Sequence, residues 1–189
     1  MVAALPFPMT YLDRERALAD VSDDDSRRFE LFGGEEVVSP SPTTGHQLVS
    51  GNSYRLIDGF ARANNLGIVL TAPTDVRLSA YDVVVPDLCF IARERSSIIG
   101  EKAIEGAPDL VVEILSPSTQ RQDRVRKFTL YAASGVREYG LIDIKARSLT
   151  IYTLQDGQFV PVPEKDGTVE SVVLSGLVVT ISDLFMDIR

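Results

Sequence analysis

The sequence predicts a mixed α/β domain (α+β) built on a central sheet. Two continuous apolar stretches, residues 81–91 and 108–115, are typical of strands that are buried on both faces. Helical patterns lie before and after these stretches, and the last third of the chain alternates in the manner of paired strands. With 189 residues, the chain is expected to fold as a single domain over residues 1–189.

The first half of the chain contains two signals that set boundaries. A T-x-x-Q pattern at Thr44 and Gln47 predicts a capping box that starts a long helix, and Gly67 predicts its end. Pro86 cannot donate a ladder hydrogen bond, which indicates an edge position or a bulge. The expected elements are a flexible or interface arm at 1–9, a helix at 10–22, a hairpin at 29–38, a loop at 39–44, the long helix, and strands at 67–71, 76–78 and 81–91.

The second half of the chain contains boundary signals of the same kind. A second T-x-x-Q pattern, Thr119 and Gln122, predicts a helix that ends at Gly135, and Asp156-Gly157 predicts a tight hairpin turn. The expected elements are a polar connection at 93–106, a strand at 108–115, a helix with Val125, Phe128 and Ala132 on its apolar face, strands at 137–143, 148–154, 159–162, 169–174 and 177–181, and a last turn capped by Ser182.

Composition limits the classes of function. The only cysteine, Cys89, excludes an intramolecular disulfide and is expected to be a core residue in a cytoplasmic protein. No segment is long and apolar enough to span a membrane. A net charge of −8 disfavours nucleic-acid binding, because affinity for phosphate comes largely from Lys and Arg. A local basic stretch could still supply it: Arg121, Arg124, Arg126 and Lys127.

Two acidic residues interrupt the two most apolar stretches. Asp87 and Glu113 are each flanked by apolar residues, and burial disfavours their charged forms unless a cation or hydrogen-bond donors compensate. Either acid alone could cap a loop or pair with an arginine. Both together favour a shared divalent cation, Mg²⁺ or Mn²⁺, because hard oxygen ligands suit these ions. A single histidine, His46, and a single cysteine argue against zinc.

The helix after the Glu113 strand supplies a candidate base or charge stabiliser. Asp123, Lys127 and Tyr131 recur every four residues and share one stripe of the helix. On spacing alone, a solvated Lys127 paired with Asp123 is the favoured interpretation. A second Pro-Asp pair ends in Asp109, but that residue would lie about 13 Å from Glu113 along the strand, too far to share one ion.

Four segments resemble a known family. They are FELFGGEEVVSPSPTTGHQ, VVVPDLCFI, the long run EGAPDLVVEILSPSTQRQDRVRKFTLYAASGVREYGLID, and IYTL. They are similar to the Uma-type restriction-endonuclease family, also called domain of unknown function 820, a branch of the PD-(D/E)xK nuclease superfamily. The resemblance covers residues 10–185 and implies a restriction-endonuclease-like mixed central sheet flanked by helices.

The resemblance also implies a metal site. Asp87 and Glu113 match the acids of the family's two motifs, and the backbone carbonyl of Ile114 is a further expected ligand. The lysine usually found two residues after the glutamate is replaced by Leu115. Lys127 matches superfamily branches in which this lysine has moved to the following helix. The resemblance therefore favours a lysine of the active site over the solvated lysine indicated by spacing.

Further residues and the activity follow from the same resemblance. Glu30 matches a family acid that completes the catalytic group with Asp87, Glu113 and Lys127, and His46 matches a histidine at a helix start that is structural or substrate-facing. The implied function is Mg²⁺-dependent (or Mn²⁺-dependent) endonucleolytic hydrolysis of DNA, and no organic cofactor is expected. Apart from the resemblance, the basic stretch beside the proposed site suggests that Arg121 and Arg124 contact the substrate. A homodimer is expected because nucleases that cut both strands often use two copies and the apolar N-terminal arm could contribute an interface. The alternative is a catalytically silent binding or assembly module that keeps the nuclease fold.

Overall fold

The computed structural model describes residues 7–18, 28–39, 41–115 and 122–188. The helices are α1 (Tyr11–Leu18), α2 (Thr44–Ala63), α3 (Phe128–Ser134) and α4 (Ile181–Leu184). A 3-10 turn spans Arg93–Ile98, and a π-helical turn, Gln122–Lys127, leads directly into α3. None of the helices in these ranges is long and apolar enough to cross a membrane.

Thirteen strands lie within the described ranges. They are β1 (Arg28–Phe32), β2 (Glu35–Ser39), β3 (Gly67–Thr71), β4 (Asp75–Arg77), β5 (Val83–Val84), β6 (Leu88–Ala92), β7 (Ala103–Glu105), β8 (Leu110–Leu115), β9 (Glu138–Asp143), β10 (Ser148–Gln155), β11 (Gln158–Pro161), β12 (Thr168–Glu170) and β13 (Val178–Thr180).

Six of these strands form the main sheet, in the order β11-β10-β9-β8-β6-β3. Strands β8 and β9 run parallel, and the other neighbours run antiparallel. A second sheet has the order β2-β1-β5-β4-β7, and β12 pairs with β13. These mixed sheets with flanking helices confirm the predicted fold class.

The main sheet is buried on both faces. Phe90 and Val112 belong to the core that packs beneath α2, together with Val49 and Ile57 of that helix. The alternate residues of the same strands, including Cys89 and Val111, belong to a second core with Tyr131 of α3. Burial on both faces explains why the two central strands are continuously apolar. The predicted core position of Cys89 is confirmed.

The apolar stretch 81–91 forms two strands in two different sheets. Strand β5 belongs to the second sheet and β6 to the main sheet, so the prediction of one long strand is wrong. Between them lie Val85, Pro86 and Asp87. Pro86 lacks the N–H that a continuing ladder needs, which accounts for the break. Asp87 therefore lies at the point where the chain enters the main sheet.

Both ends of α2 differ from the sequence expectation. The N-cap is Thr43, whose side chain accepts a hydrogen bond from the backbone N–H of His46 at 3.2 Å, so the predicted box starting at Thr44 is wrong. The helix ends at Ala63, and Gly67 is already the first residue of β3. A threonine pair gives two equivalent cap patterns one residue apart, and the sequence does not distinguish them.

Among the remaining expectations, the strand expected at 169–174 ends at Glu170, and several others are confirmed. Gly135 caps α3 with a φ of +84°, and the turn at Asp156-Gly157 joins β10 to β11. Strand β7 was not expected within the polar connection, and Ser182 lies inside α4 instead of capping it. Thr119 lies outside the described residues. Of the N-terminal arm, residues 1–6 also lie outside them, whereas Met9 is buried against Leu31 and Val83.

Candidate metal and catalytic site

Asp87 and Glu113 are neighbours across two strands. Leu88 lies opposite Val112 in the antiparallel register of β6 and β8, so the next pair along is Asp87 and Glu113. Side chains at opposite positions point to the same side of a sheet. The Asp87 Oδ2 atom accepts the backbone N–H of Ile114 at 2.8 Å, and the two acids are only 3% and 2% exposed. The sequence expectation that these acids lie close together is therefore met.

Glu113 receives two hydrogen bonds from α3 and the turn before it. Lys127 Nζ donates to Glu113 Oε1 at 2.9 Å, and the Tyr131 hydroxyl donates to the same oxygen at 2.7 Å. Lys127 is only 4% exposed. The interpretation from spacing alone, a solvated lysine, is therefore wrong, and the inward lysine implied by the family resemblance is observed.

Glu30 joins this cluster from the second sheet. Its Oε1 atom lies 2.9 Å from Lys127 Nζ and accepts the backbone N–H of Val85 at 2.8 Å. Lys127 thus bridges a carboxylate of β1 and a carboxylate of β8. The structure brings together all four residues of the predicted catalytic group: Glu30, Asp87, Glu113 and Lys127.

His46 lies on the other side of Asp87. Its Nε2 atom is 3.2 Å from Asp87 Oδ2, and the imidazole is 6% exposed. The other ring nitrogen, Nδ1, is buried and has no hydrogen-bond partner among the described residues. The contact with Asp87 places His46 within the site, and its assignment to substrate binding stays a prediction.

Electrostatics favour a cation at this cluster. The ammonium of Lys127 contacts the carboxylates of Glu30 and Glu113, and Asp87 lies opposite Glu113 on the neighbouring strand. An excess of negative charge in a buried site attracts a positive ion. Burial raises the pKa of Tyr131 well above its usual value, and the negative charge of Glu113 raises it further. The phenol is therefore a neutral hydrogen-bond donor at physiological pH. It supports the charged form of Glu113 without adding charge itself.

The donor chemistry fits a hard divalent cation. The carboxylates of Asp87 and Glu113 and the carbonyl of Ile114 are oxygen donors of the kind that Mg²⁺ and Mn²⁺ prefer. Within the described residues, no group of three or more His, Cys, Asp or Glu side chains is close enough to hold a metal ion. Asp87, Glu113 and the Ile114 carbonyl offer oxygen donors for a site of two carboxylates completed by a backbone oxygen, a donor set that suits a hard cation better than zinc.

Asp109 has a different environment from Asp87. It is fully buried and accepts the backbone N–H of Ala92 at 2.8 Å. Its Oδ1 atom lies 2.9 Å from Arg95 and 3.3 Å from Arg137. Two arginines therefore pair with Asp109. Pairing with an arginine is the alternative that the sequence left open for Asp87 or Glu113 taken alone.

The basic stretch that contains the predicted substrate-binding residues precedes α3 in the sequence. Arg121 is outside the described residues, and Arg124 lies in the π-helical turn. Arg126 is exposed, lies 2.5 Å from Glu35 and stacks over the Phe32 ring. Val125, expected on the apolar face of the helix, is 62% exposed, so that assignment is wrong. The π-helical turn ends at Lys127, and the polar side chains that reach the cluster from this region are those of Lys127 and Tyr131.

Tyr131 was not predicted as a site residue, although the sequence carries a signal for it. It follows Lys127 by four residues and therefore shares its stripe on the helix. Once Lys127 is assigned to the site, the same spacing places Tyr131 beside it.

The chain matches the Uma2 family model, described as "Putative restriction endonuclease", over residues 10–182. The chain belongs to the Uma2 family. The match includes every residue of the cluster, and membership of Uma2 indicates a nuclease-type function. Restriction-endonuclease-like proteins generally use divalent metals, in agreement with the oxygen donors found here.

A solved structure supports the fold of this Uma2 protein. It is a nuclease of the DUF820 family from Anabaena variabilis ATCC 29413, described as putative, with a TM-score of 0.76. The two chains are 19% identical, and the alignment covers 94% of this chain and 98% of that chain. No curated protein matches the sequence significantly. The likeness therefore establishes a shared fold over nearly the whole length of both chains.

Proposed function

We propose that this Uma2 protein is a metal-dependent endonuclease that hydrolyses phosphodiester bonds in DNA. The observation that supports the proposal most is the buried cluster of Glu30, Asp87, Glu113 and Lys127 at the break between β5 and β6. A fully buried group of ionised side chains is costly for stability, so its presence in a nuclease fold favours a catalytic role.

The residues of the cluster have separable roles in this proposal. Asp87, Glu113 and the Ile114 carbonyl would hold Mg²⁺ or Mn²⁺. A divalent cation in that position polarises the scissile phosphate and lowers the pKa of an attacking water. Lys127 stabilises the negative charge that develops on the phosphate, because its ammonium lies beside Glu113 in a site with little water. Glu30 holds Lys127 from the opposite side.

Arg121 and Arg124 are proposed to bind the DNA backbone. They lie in the same stretch of the sequence as Lys127, so positive charge is concentrated in sequence beside a residue of the proposed site. This local charge offsets the repulsion expected from a net charge of −8.

The net charge favours one alternative, a binding or assembly module without catalysis. In that case Lys127 would serve only to neutralise Glu30 and Glu113, and the cluster would be structural. The alternative predicts that the protein folds with this cluster intact and leaves DNA uncut.

A cleavage assay distinguishes the two. Purified protein is incubated with supercoiled plasmid or single-stranded DNA and with Mg²⁺ or Mn²⁺. We expect metal-dependent cleavage that falls by about 100-fold or more in Asp87→Ala and Lys127→Ala, because each removes a group that acts on the reacting phosphate. The matched controls Asp183→Ala and Lys145→Ala change exposed residues of the same types and should cut as the wild type does. Intact DNA under all conditions, or full activity in both site variants, would contradict the proposal.

Two further features are proposed for the working protein. A homodimer would allow one active site to act on each strand of a duplex, and light scattering that finds only a monomer at high concentration would contradict it. A reducing compartment such as the cytoplasm suits a chain whose one cysteine is buried as a free thiol.

A further inference from the structure

His46 is the only histidine of the chain, and it lies beside Asp87, a proposed metal ligand. Its Nε2 atom lies 3.2 Å from Asp87 Oδ2. An ionised carboxylate only accepts hydrogen bonds, so the contact is a hydrogen bond in the tautomer that carries its hydrogen on Nε2. The same Asp87 oxygen accepts the backbone N–H of Ile114 at 2.8 Å. Two donors from two different elements therefore converge on one oxygen of the proposed ligand.

The position of His46 is fixed by the start of α2. Thr43 accepts the backbone N–H of His46, which sets the first turn of the helix. One turn later, Val49 is fully buried in the core beneath α2, so the helix cannot slide along the sheet without disturbing that core. The imidazole is thus presented to Asp87 by a rigid element.

Asp87 needs such support more than a residue inside a strand would. It lies in the break between β5 and β6, where the ladder of the main sheet has not yet begun. Its backbone carbonyl accepts the N–H of Ala72 at 3.1 Å, which holds the backbone. The groups that orient its carboxylate include the Ile114 N–H and the His46 imidazole, both at Oδ2.

The buried Nδ1 atom of His46 indicates that stability alone does not explain this residue. A buried polar atom without a partner is unfavourable, and Nδ1 has none among the described residues. An apolar side chain would fill the same space without that cost. What histidine adds is the donor at Nε2, directed at Asp87.

We propose that His46 is a positioning residue that orients the Asp87 carboxylate for divalent cation binding; this rests on the proposed function of the site. Hydrogen bonds to a ligating group fix its orientation, and removing such a partner typically lowers metal affinity about 10- to 100-fold. The effect acts on cation affinity itself, so it can be measured without any DNA.

Isothermal titration of the full-length protein with Mn²⁺ tests the proposal. His46→Gln keeps an amide N–H near the place of Nε2 and should bind Mn²⁺ within about threefold of the wild type. His46→Asn places its amide near Nδ1 instead, and His46→Leu removes the donor; both should bind about 10- to 100-fold more weakly. Asp87→Asn should abolish or nearly abolish binding. Circular dichroism checks that each variant is folded.

The outcomes separate this proposal from the proposed function. Equal Mn²⁺ affinity in wild type, His46→Leu and His46→Asn would overturn the role of His46 and leave the metal site standing. No Mn²⁺ binding by the wild type would overturn both.

A second measurement on the wild type applies even where a His46 variant fails to fold. Because the chain has one histidine, its imidazole resonances need no assignment. Titration with Mg²⁺ should shift the ¹⁵N signals of the ring until the site is saturated, and Asp87→Asn should show no such shift. An unchanged imidazole spectrum at saturating Mg²⁺ would overturn the proposal.

Discussion

Glu113 is a buried acid that two neighbouring side chains stabilise. Lys127 and Tyr131 both donate to Glu113 Oε1, at 2.9 Å and 2.7 Å. The lysine supplies the opposite charge, whereas the tyrosine supplies a neutral hydrogen bond. Both kinds of partner stabilise the charged form of a carboxylate in a buried site. Keeping this acid charged is what a cation-binding site requires.

Tyr131→Phe tests the contribution of the phenol. At neutral pH we expect the free energy of unfolding to fall by about 1.5–3 kcal/mol, because a hydrogen bond to a charged group is lost while the ring remains. Chemical denaturation measures this change. The exposed Tyr81 offers a matched control, and Tyr81→Phe should leave stability unchanged.

The same variant carries a pH signature. Burial, and after it the charge of Glu113, raises the pKa of Tyr131 above the value of 10.0 that it has in an unfolded chain. Its contribution to stability is therefore present below pH 10 and is lost as the pH rises through the folded-state pKa. Above pH 10, the wild type should lose stability more steeply than Tyr131→Phe. Parallel pH profiles of the two proteins would show that Tyr131 is not held neutral.

Among the elements, strand β9 holds the segment that joins β12 to β13. Glu138 is fully buried, and its Oε1 atom accepts the Ser171 hydroxyl at 2.7 Å. Its Oε2 atom accepts the backbone N–H groups of Val172 at 2.5 Å and Val173 at 2.9 Å. Burial raises the pKa of this carboxyl above its usual value. These contacts of Glu138 lie apart from the cluster of Glu30, Asp87, Glu113 and Lys127, and they stabilise the fold.

Two substitutions separate the charge of Glu138 from its hydrogen bonds. Glu138→Gln can accept both backbone N–H groups with its carbonyl and donate to Ser171, so its stability at neutral pH should equal or exceed that of the wild type. The direction of this change in stability follows from the raised pKa of Glu138. The contribution of the carboxyl to the free energy of unfolding is lost as the pH rises through the folded-state pKa.

Glu138→Leu should behave differently from the glutamine variant. It leaves three donors without a partner and should lower the free energy of unfolding by at least about 2 kcal/mol. Hydrogen exchange of the Val172 and Val173 amides should accelerate in this variant alone. Equal protection of these amides in both variants would mean that Glu138 does not hold the segment between β12 and β13.

The sequence predicts the elements better than it predicts how they meet. Asp87 and Glu113 can be found because an acid in an apolar strand is conspicuous whatever its partners are. The register of β6 against β8 makes Asp87 and Glu113 neighbours, and this register has no local signal in the sequence. Lys127 shows the same limit, since its spacing alone indicates a solvated residue and only contacts with distant strands bury it.

For the whole molecule, the cluster joins the two large sheets. Glu30 comes from the second sheet, Glu113 from the main sheet, and Lys127 from the turn before α3. Pro86 ends one strand and lets the chain cross between the sheets, which places Asp87 at the junction. The site is therefore complete only when both sheets are assembled. Glu30 could be assigned from sequence only through the family resemblance, because its partners lie more than 50 residues away.

A crystal structure of the wild-type protein soaked in Mn²⁺, with anomalous data, tests the metal site most directly. We expect one anomalous peak bound by carboxylate oxygens of Asp87 and Glu113 at about 2.0–2.6 Å, with the Ile114 carbonyl completing the site. The same soak of Asp87→Asn should show no peak there. A wild-type crystal without a peak between these two acids, with Lys127 still bridging Glu30 and Glu113, would contradict the assignment of this cluster as a metal-dependent nuclease site.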